Sequence, residues 1–253
     1  MLDVLGLREQ HYVHLIGGGG KTTLMYAAAQ ALAAAGRSVL TTTTTRILHP
    51  GPAQSACVVL GADVAALLEP LRAGLAAHRH VTALAPDPAG GRKAGGLAVA
   101  VLDALVAAHI AEHVLVEADG AAGRPLKAHA GHEPVVSPRA DLVIAVIGVD
   151  RLGAPMDDAH VHRAALLRER LGRTPGAVVT AGDVAGIVLH RDGYLARVAA
   201  GAEVVAFVNK AATPAAREDA RRLATALRHA DAGRRLARVV AGDVWTGAFA
   251  DAG

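Results

Sequence analysis

The chain has 253 residues, 52% of them apolar and only 2% aromatic, and its 26 Lys and Arg against 23 Asp and Glu leave a formal net charge of +3. That length and apolar content suit a globular core and exclude a disordered chain. So small a positive excess with so few rings excludes a nucleic-acid partner bound by basic patches and stacking platforms, and the single cysteine, Cys57, excludes a disulfide framework or a Cys-rich metal cluster.

The opening MLDVLGLREQ lacks a basic region followed by an apolar core, and the long apolar stretch 96–118 is broken by Asp103, His109, Glu112 and His113. The expectation is therefore a cytoplasmic protein with no secretion signal and no membrane span. Short apolar runs at 12–16, 38–42, 57–60, 114–118, 142–147 and 204–208, with 238–241 as a further candidate, alternate with helical patterns at 22–35, 64–78, 97–109, 157–171 and 214–229. Continuous apolar strands separated by helices predict an α/β fold, a mostly parallel sheet with helices on both faces. Segments 85–96 and 120–138 read as loops from their Gly and Pro content. Strand–helix alternation runs on past Asp150, so the expectation is one domain over 1–253 with at most a sub-boundary near 150.

At the first strand-to-helix junction the sequence reads IGGGGKTT. Glycine loses the most backbone freedom on folding, so four in a row point to a place where the backbone itself must approach a ligand. A helix N-terminus offers unpaired N–H groups and partial positive charge, and Gly17, Gly18, Gly19 and Gly20 would let those groups wrap a phosphate. Lys21 would reach the β- and γ-phosphates, and Thr22, followed by Thr23, would join a Mg2+ shell. Position 15, where GxxxxGK[ST] needs glycine, is Leu15; the spacing is the shorter GxxGK[ST] form, which resembles the loop of Mur-type amide ligases. The fold expectation is thus P-loop NTPase-like.

The second strand runs into TTTTTR, 41–46, at the sheet edge where ligands bind in open α/β folds, and Thr43 is assigned there to the metal or the γ-phosphate. In HVLVEADGAAGRP, Glu117 and Asp119 follow a buried strand at i and i+2, so both can point into one site as oxygen ligands for Mg2+. The loop 120–138 is too long for a plain connection. It sets Arg124 and Lys127 beside His132 and Glu133, a combination suited to an anionic substrate and proton transfer. His129 and His132 have no third ligand at zinc spacing. His160 and His162, two apart on the expected helix 157–171, cannot share a face. Near the C-terminus, Asn209-Lys210-Ala211-Ala212 departs from NKxD, because Ala212 cannot read a guanine amino group. Asn209 can still bond a purine edge, which favours ATP and keeps GTP as the alternative.

The motifs GGGGKTT, TTTTTRI, EADGAAGRPLKAHAGHEP, VIGVDRLGAPMDDAHVHR and FVNKA occur in that order. Together they resemble the selenium-dependent hydroxylase accessory proteins, also described as selenium cofactor biosynthesis proteins, over nearly the whole chain. The resemblance implies an ATP- or GTP-dependent maturation factor whose partner is a selenium-dependent molybdenum hydroxylase or its cofactor pathway. It implies that Gly17 to Thr22 hold phosphates, that Glu117 and Asp119 hold the metal, and that Arg124, Lys127, His132 and Glu133 form a second site, with His162 and Arg163 as a further family-like pair on the substrate side. Read as an enzyme, Lys21, Glu117, His132 and Glu133 would carry NTP-driven activation of a small anion. Read as a nucleotide-switched chaperone, the central loop would dock the apo-hydroxylase. The sequence leaves the oligomeric state open.

Overall fold

The computed structural model describes residues 1–87 and 91–252. In chain order its elements begin with β1 (Tyr12–Gly17), α1 (Lys21–Ala34), β2 (Val39–Thr43), β3 (Ile47–Leu48), β4 (Val58–Leu60), α2 (Val64–His78), β5 (His80–Leu84), β6 (Lys93–Ala94) and α3 (Val99–Ala107). They continue with β7 (His113–Glu117), β8 (Leu126–Lys127), β9 (Leu142–Gly148), β10 (Val161–His162), α4 (Ala164–Leu171), α5 (Ala181–Leu189), β11 (Glu203–Asn209), α6 (Pro214–Ala230), β12 (Arg238–Asp243) and β13 (Ala248–Asp251). Nine strands form one sheet in the order β13-β12-β11-β9-β1-β7-β2-β5-β4. Every pairing in it is parallel except β12 with β13 at one edge.

Alternation along the strands sorts the core into two layers. Val13 and Leu15 of β1, with Ile144 and Val146 of β9, pack on Leu24 and Met25 of α1. The intervening Val143, Ala145 and Ile147 turn the other way, onto Ile187 of α5 and Leu223 of α6. Tyr12, of the same parity as Ile16, joins Leu40, Val114 and Val116 under Leu67 of α2 and Leu102 of α3. Helices therefore cover both faces, which is why β9 reads as an unbroken apolar run and β1 is broken only by His14. Each fully buried Leu, Ile or Val contributes about 1.5–3 kcal/mol. Among the described residues no helix is long and apolar enough to cross a membrane.

The chain departs from the expected pattern in several places. The run 80–84 is a fifth strand in chain order, β5, pairing with both β2 and β4. Helix α5 was not expected, although a capping box marks its start: Thr180 accepts from the Asp183 N–H while Asp183 accepts from the Thr180 N–H. The expected helix 157–171 begins only at Ala164, because Arg163 stands at φ 62° and cannot continue a helix. Residues before it run into β10, which pairs in parallel with β8 inside the loop 120–138, so His162 sits on a strand. The loop 85–96 likewise holds β6, paired with β3; its residues 88–90 lie outside the described residues.

Strand β1 lies between β7 and β9. Its connection through α1 leads to β2 on the β7 side, whereas the chain after β9 leads to β11 on the opposite side. The C-terminal ends of β1 and β9 thus form the crevice where open α/β sheets bind ligands.

Candidate functional site

The glycine loop lies in that crevice, and its residues are dictated by the neighbouring chain. Gly19 has φ +83°, and a Cβ on it would stand 2.3 Å from the Gly148 nitrogen at the end of β9. Gly20, at φ +119°, would meet Asn209 Nδ2 at 2.6 Å. No side chain caps the first turn of α1, so its N–H groups keep the capacity to bind an anion.

Lys21 opens the helix with only 4% exposure. Its Nζ donates to the Gly17 carbonyl at 2.6 Å and lies 3.1 Å from Asp119 Oδ1 and 3.6 Å from Glu117 Oε1. Burial alone would lower its pKa, but the Asp119 and Glu117 carboxylates outweigh burial and raise it. Thr22 Oγ1 donates to Glu117 Oε2 at 2.6 Å. Thr22 and Glu117 both line an open cleft of about 720 Å³.

Asp119 does not. It is completely buried, accepts from the Gly17 N–H at 2.8 Å, contacts the His129 ring and lies 3.3 Å from Lys127 Nζ. Burial pushes its pKa up, yet Lys21, His129 and Lys127 hold it well below the usual carboxylate range. The expectation that Asp119 ligates Mg2+ is corrected: its Oδ2 faces these internal partners, its Oδ1 lies against Lys21, and Glu117 is the carboxylate that reaches the cleft. Thr43 is corrected too, since its fully buried hydroxyl donates to the Glu117 carbonyl at 2.8 Å and accepts from the Thr45 N–H at 3.0 Å. Among the described residues no group of three His, Cys, Asp or Glu side chains is placed to hold a metal ion. A hydroxyl and one carboxylate are hard oxygen donors that fit Mg2+, which keeps waters and takes phosphate oxygens for the rest of its shell.

Behind Asp119 the central loop builds a buried charge network. Lys127, fully buried, contacts the Gly120 carbonyl and Glu133 Oε2, the latter at 3.1 Å. Burial wins over its two carboxylate neighbours and lowers its pKa. Glu133, raised by burial, is held lower by Arg163 and Lys127. Arg163 bonds Glu133 and donates to the Ala128 carbonyl at 3.1 Å. Lys127 and Arg163 were expected to contact substrate; the structure gives both to Glu133 instead. The expected His132–Glu133 pair is likewise absent: His132 is exposed and the carboxylate turns to the two cations. His129 takes the interior place, its ring set edge-on to Tyr194 with centroids 4.7 Å apart and its pKa lowered by burial against the pull of Asp119. Its position two residues after Lys127 on an extended segment is the one sequence clue to that.

Asn209 does not present an edge to a purine. Its Nδ2 donates to the Gly19 carbonyl at 2.8 Å and its Oδ1 accepts from the Val244 N–H at 3.2 Å, in a buried position. Arg124, Glu133 and His162 do line the cleft, as do Thr23 and Gly20. Arg124 Nε is at the same time held by the Asp158 carbonyl.

Residues 13–165 match the family model described as YqeC protein. The chain belongs to the YqeC family. Its relative in Escherichia coli (strain K12), named Uncharacterized protein YqeC, is 36% identical over 118 residues, 47% of this chain and 46% of the relative. That match spans about half the length of the curated relative. Among solved structures the chain is similar to the Hydrogenase Maturation Factor HypB from Archaeoglobus fulgidus, at 12% identity and a TM-score of 0.40, covering 97% of this chain and 87% of that one. The YqeC match takes in the glycine loop, Glu117, the central loop and the His162-Arg163 pair, and ends before Asn209.

In this YqeC-family chain the cleft also has a wall that sequence patterns did not disclose. Arg46 and Lys93 reach it from the segment around the β3–β6 ribbon, and Lys210 reaches it from the end of β11. Three cations flank Lys21 there, a field that attracts an anion. Arg46 is itself paired with Asp87, and Lys210 Nζ with Asp150 Oδ2 at 2.8 Å. Their convergence depends on a two-residue ribbon and a loop, neither of which has a periodicity to read.

Proposed function

We propose that this chain binds a purine nucleoside triphosphate with Mg2+ on the loop Gly17–Thr23 and uses it in the maturation of selenium-dependent molybdenum hydroxylases. The nucleotide serves to activate a small anionic substrate or cofactor lying against Arg124 and His162. The observation that carries the nucleotide half is the meeting of Lys21, Thr22 and Glu117 at the uncapped start of α1, with Lys21 Nζ 3.6 Å from Glu117 and Thr22 Oγ1 2.6 Å from it. Backbone N–H groups and the Lys21 ammonium bind and orient the phosphates. Thr22 and Glu117 are the residues that would hold Mg2+, which when bound neutralises charge on phosphate oxygens. Arg124 offers a planar cation to the second, anionic ligand. The hydroxylase partner and the selenium pathway rest on the resemblance of the central motifs.

Calorimetric titration of ATP and GTP, each with and without Mg2+, into the parent, Lys21→Ala and Glu117→Gln tests this. Binding is expected in the parent, lost in Lys21→Ala, and independent of Mg2+ in Glu117→Gln. Equal, Mg2+-insensitive behaviour of all three proteins would overturn the phosphate-loop assignment. Restoration of a selenium-dependent hydroxylase in a strain lacking this protein is the test of the pathway.

A further inference from the structure

The chain has one tryptophan, and Trp245 is 84% exposed. It follows β12, whose C-terminal end lies at the same sheet edge as the glycine loop, because β12 runs parallel to β11 and β11 to β9. The tie to that loop is short. Val244 N–H donates to Asn209 Oδ1 at 3.2 Å, and Asn209 Nδ2 donates to the Gly19 carbonyl at 2.8 Å, so one side chain separates the backbone beside Trp245 from the phosphate loop. The turn is also fixed. Buried Asp243 accepts from the Thr246 N–H at 2.8 Å through its side chain and from the Gly247 N–H at 3.1 Å through its carbonyl. Ala211 N–H donates to the Gly242 carbonyl at 3.0 Å, bringing 210–212 alongside the same turn. Lys210, at φ +70°, lines the cleft with its ammonium anchored on Asp150.

We infer that Trp245 is the base-binding residue of the nucleotide site: its indole stacks on the purine ring, with the Lys210 stem toward the opposite face. This rests on the nucleotide reading above and deepens it. Base–aromatic stacking is indifferent to base identity because every base offers a π-face. Neither Asn209, with both ends of its amide engaged, nor Ala212, with no polar side chain, reads the base edge. The site therefore accepts adenine and guanine alike, within about tenfold.

As the sole tryptophan, Trp245 reports on itself. Its emission is expected to be readily quenched by acrylamide in the free protein and protected when Mg·ATP or Mg·GTP binds, while Mg·tripolyphosphate, followed by calorimetry, binds without protecting it. Trp245→Ala should weaken both nucleotides by at least about fivefold and leave tripolyphosphate affinity unchanged, with Trp245→Phe recovering part of the loss. Nucleotide binding that leaves Trp245 unprotected and Trp245→Ala unimpaired would overturn the stack and leave the phosphate loop standing. Failure of nucleotides and tripolyphosphate alike to bind the parent would remove the nucleotide reading and this inference with it.

Discussion

Asn209 Nδ2 donates to the Gly19 carbonyl at 2.8 Å, joining residues 190 positions apart and fastening the end of β11 to the phosphate loop. The same side chain accepts from Val244 N–H, so Asn209→Ala leaves a buried carbonyl and a part-buried N–H without partners. A loss of about 1–3 kcal/mol is expected. Chemical denaturation would show it as a lower midpoint at unchanged slope, together with weaker tripolyphosphate binding. An unchanged midpoint would mean that the loop does not depend on this tether.

His14 is fully buried on β1, and neither ring nitrogen has a partner. Burial pushes its pKa down to about 3. The unfolded chain takes its proton near pH 6.5. Between these values the unfolded state holds more protons, so stability falls as pH falls, and the full contribution is present only above about pH 6.5. By pH 5 this one site costs about 2 kcal/mol relative to pH 8. His14→Leu removes the effect, and urea unfolding should show the variant gaining about 2 kcal/mol more over the parent at pH 5 than at pH 8. His80, also pushed down to about 4 by burial, bends the acid limb the same way in both proteins and cancels in the comparison. An equal gain at both pH values contradicts a buried neutral His14.

Lys127 and Arg124, both expected from sequence on the substrate side, should now separate. Lys127→Met removes the buried cation between Asp119 and Glu133 and is expected to cost about 3–5 kcal/mol. Arg124→Met, at the cleft wall, should change stability by no more than about 0.5 kcal/mol and impair hydroxylase maturation. Thermal unfolding and complementation distinguish them; similar melting temperatures for the two variants would show that Lys127 is not structural.

The two histidines of the central loop give a parallel contrast. His129→Ala opens the contact with Asp119 and Tyr194 and is expected to cost about 1–3 kcal/mol. His132→Ala, at an exposed position, should stay within about 0.5 kcal/mol of the parent. If complementation fails with His132→Ala at full stability, His132 acts on a ligand rather than on the fold.

Much of the sheet was legible because fully buried parallel strands leave apolar runs: β7, β9 and β11 carry them, β1 breaks one only at His14, and β2 passes from Val39 and Leu40 into β-favouring threonines. Strand β5 was hidden because HVTAL begins with a histidine directly after a helix that ends on His78. The late start of α4 was hidden because nothing in Arg163 announces a positive φ. At the site, the lysine, the hydroxyl and the two carboxylates were evident as a set, since all four types are rare together at strand ends. Which carboxylate faces solvent was not. The chain leaves β7 at Glu117, so the two-residue period no longer governs Asp119, and its burial is decided by Lys127 and His129 folding back from the central loop. The glycine run was explained from sequence by a ligand alone. Val146, Arg124, Gly148 and Asn209 show that the protein's own packing presses on all four of its members.

The position of Lys21 bears on how a phosphate would be taken up. The ammonium has already left bulk water on folding, seated on the Gly17 carbonyl with Asp119 and Glu117 as counterions, and it stays charged because those carboxylates raise its pKa. An arriving phosphate therefore strips little hydration from it and changes no protonation state there. Binding becomes an exchange of anions around a fixed cation, in which Asp119 keeps Lys127 as its balance while Lys21 turns from one partner to the next.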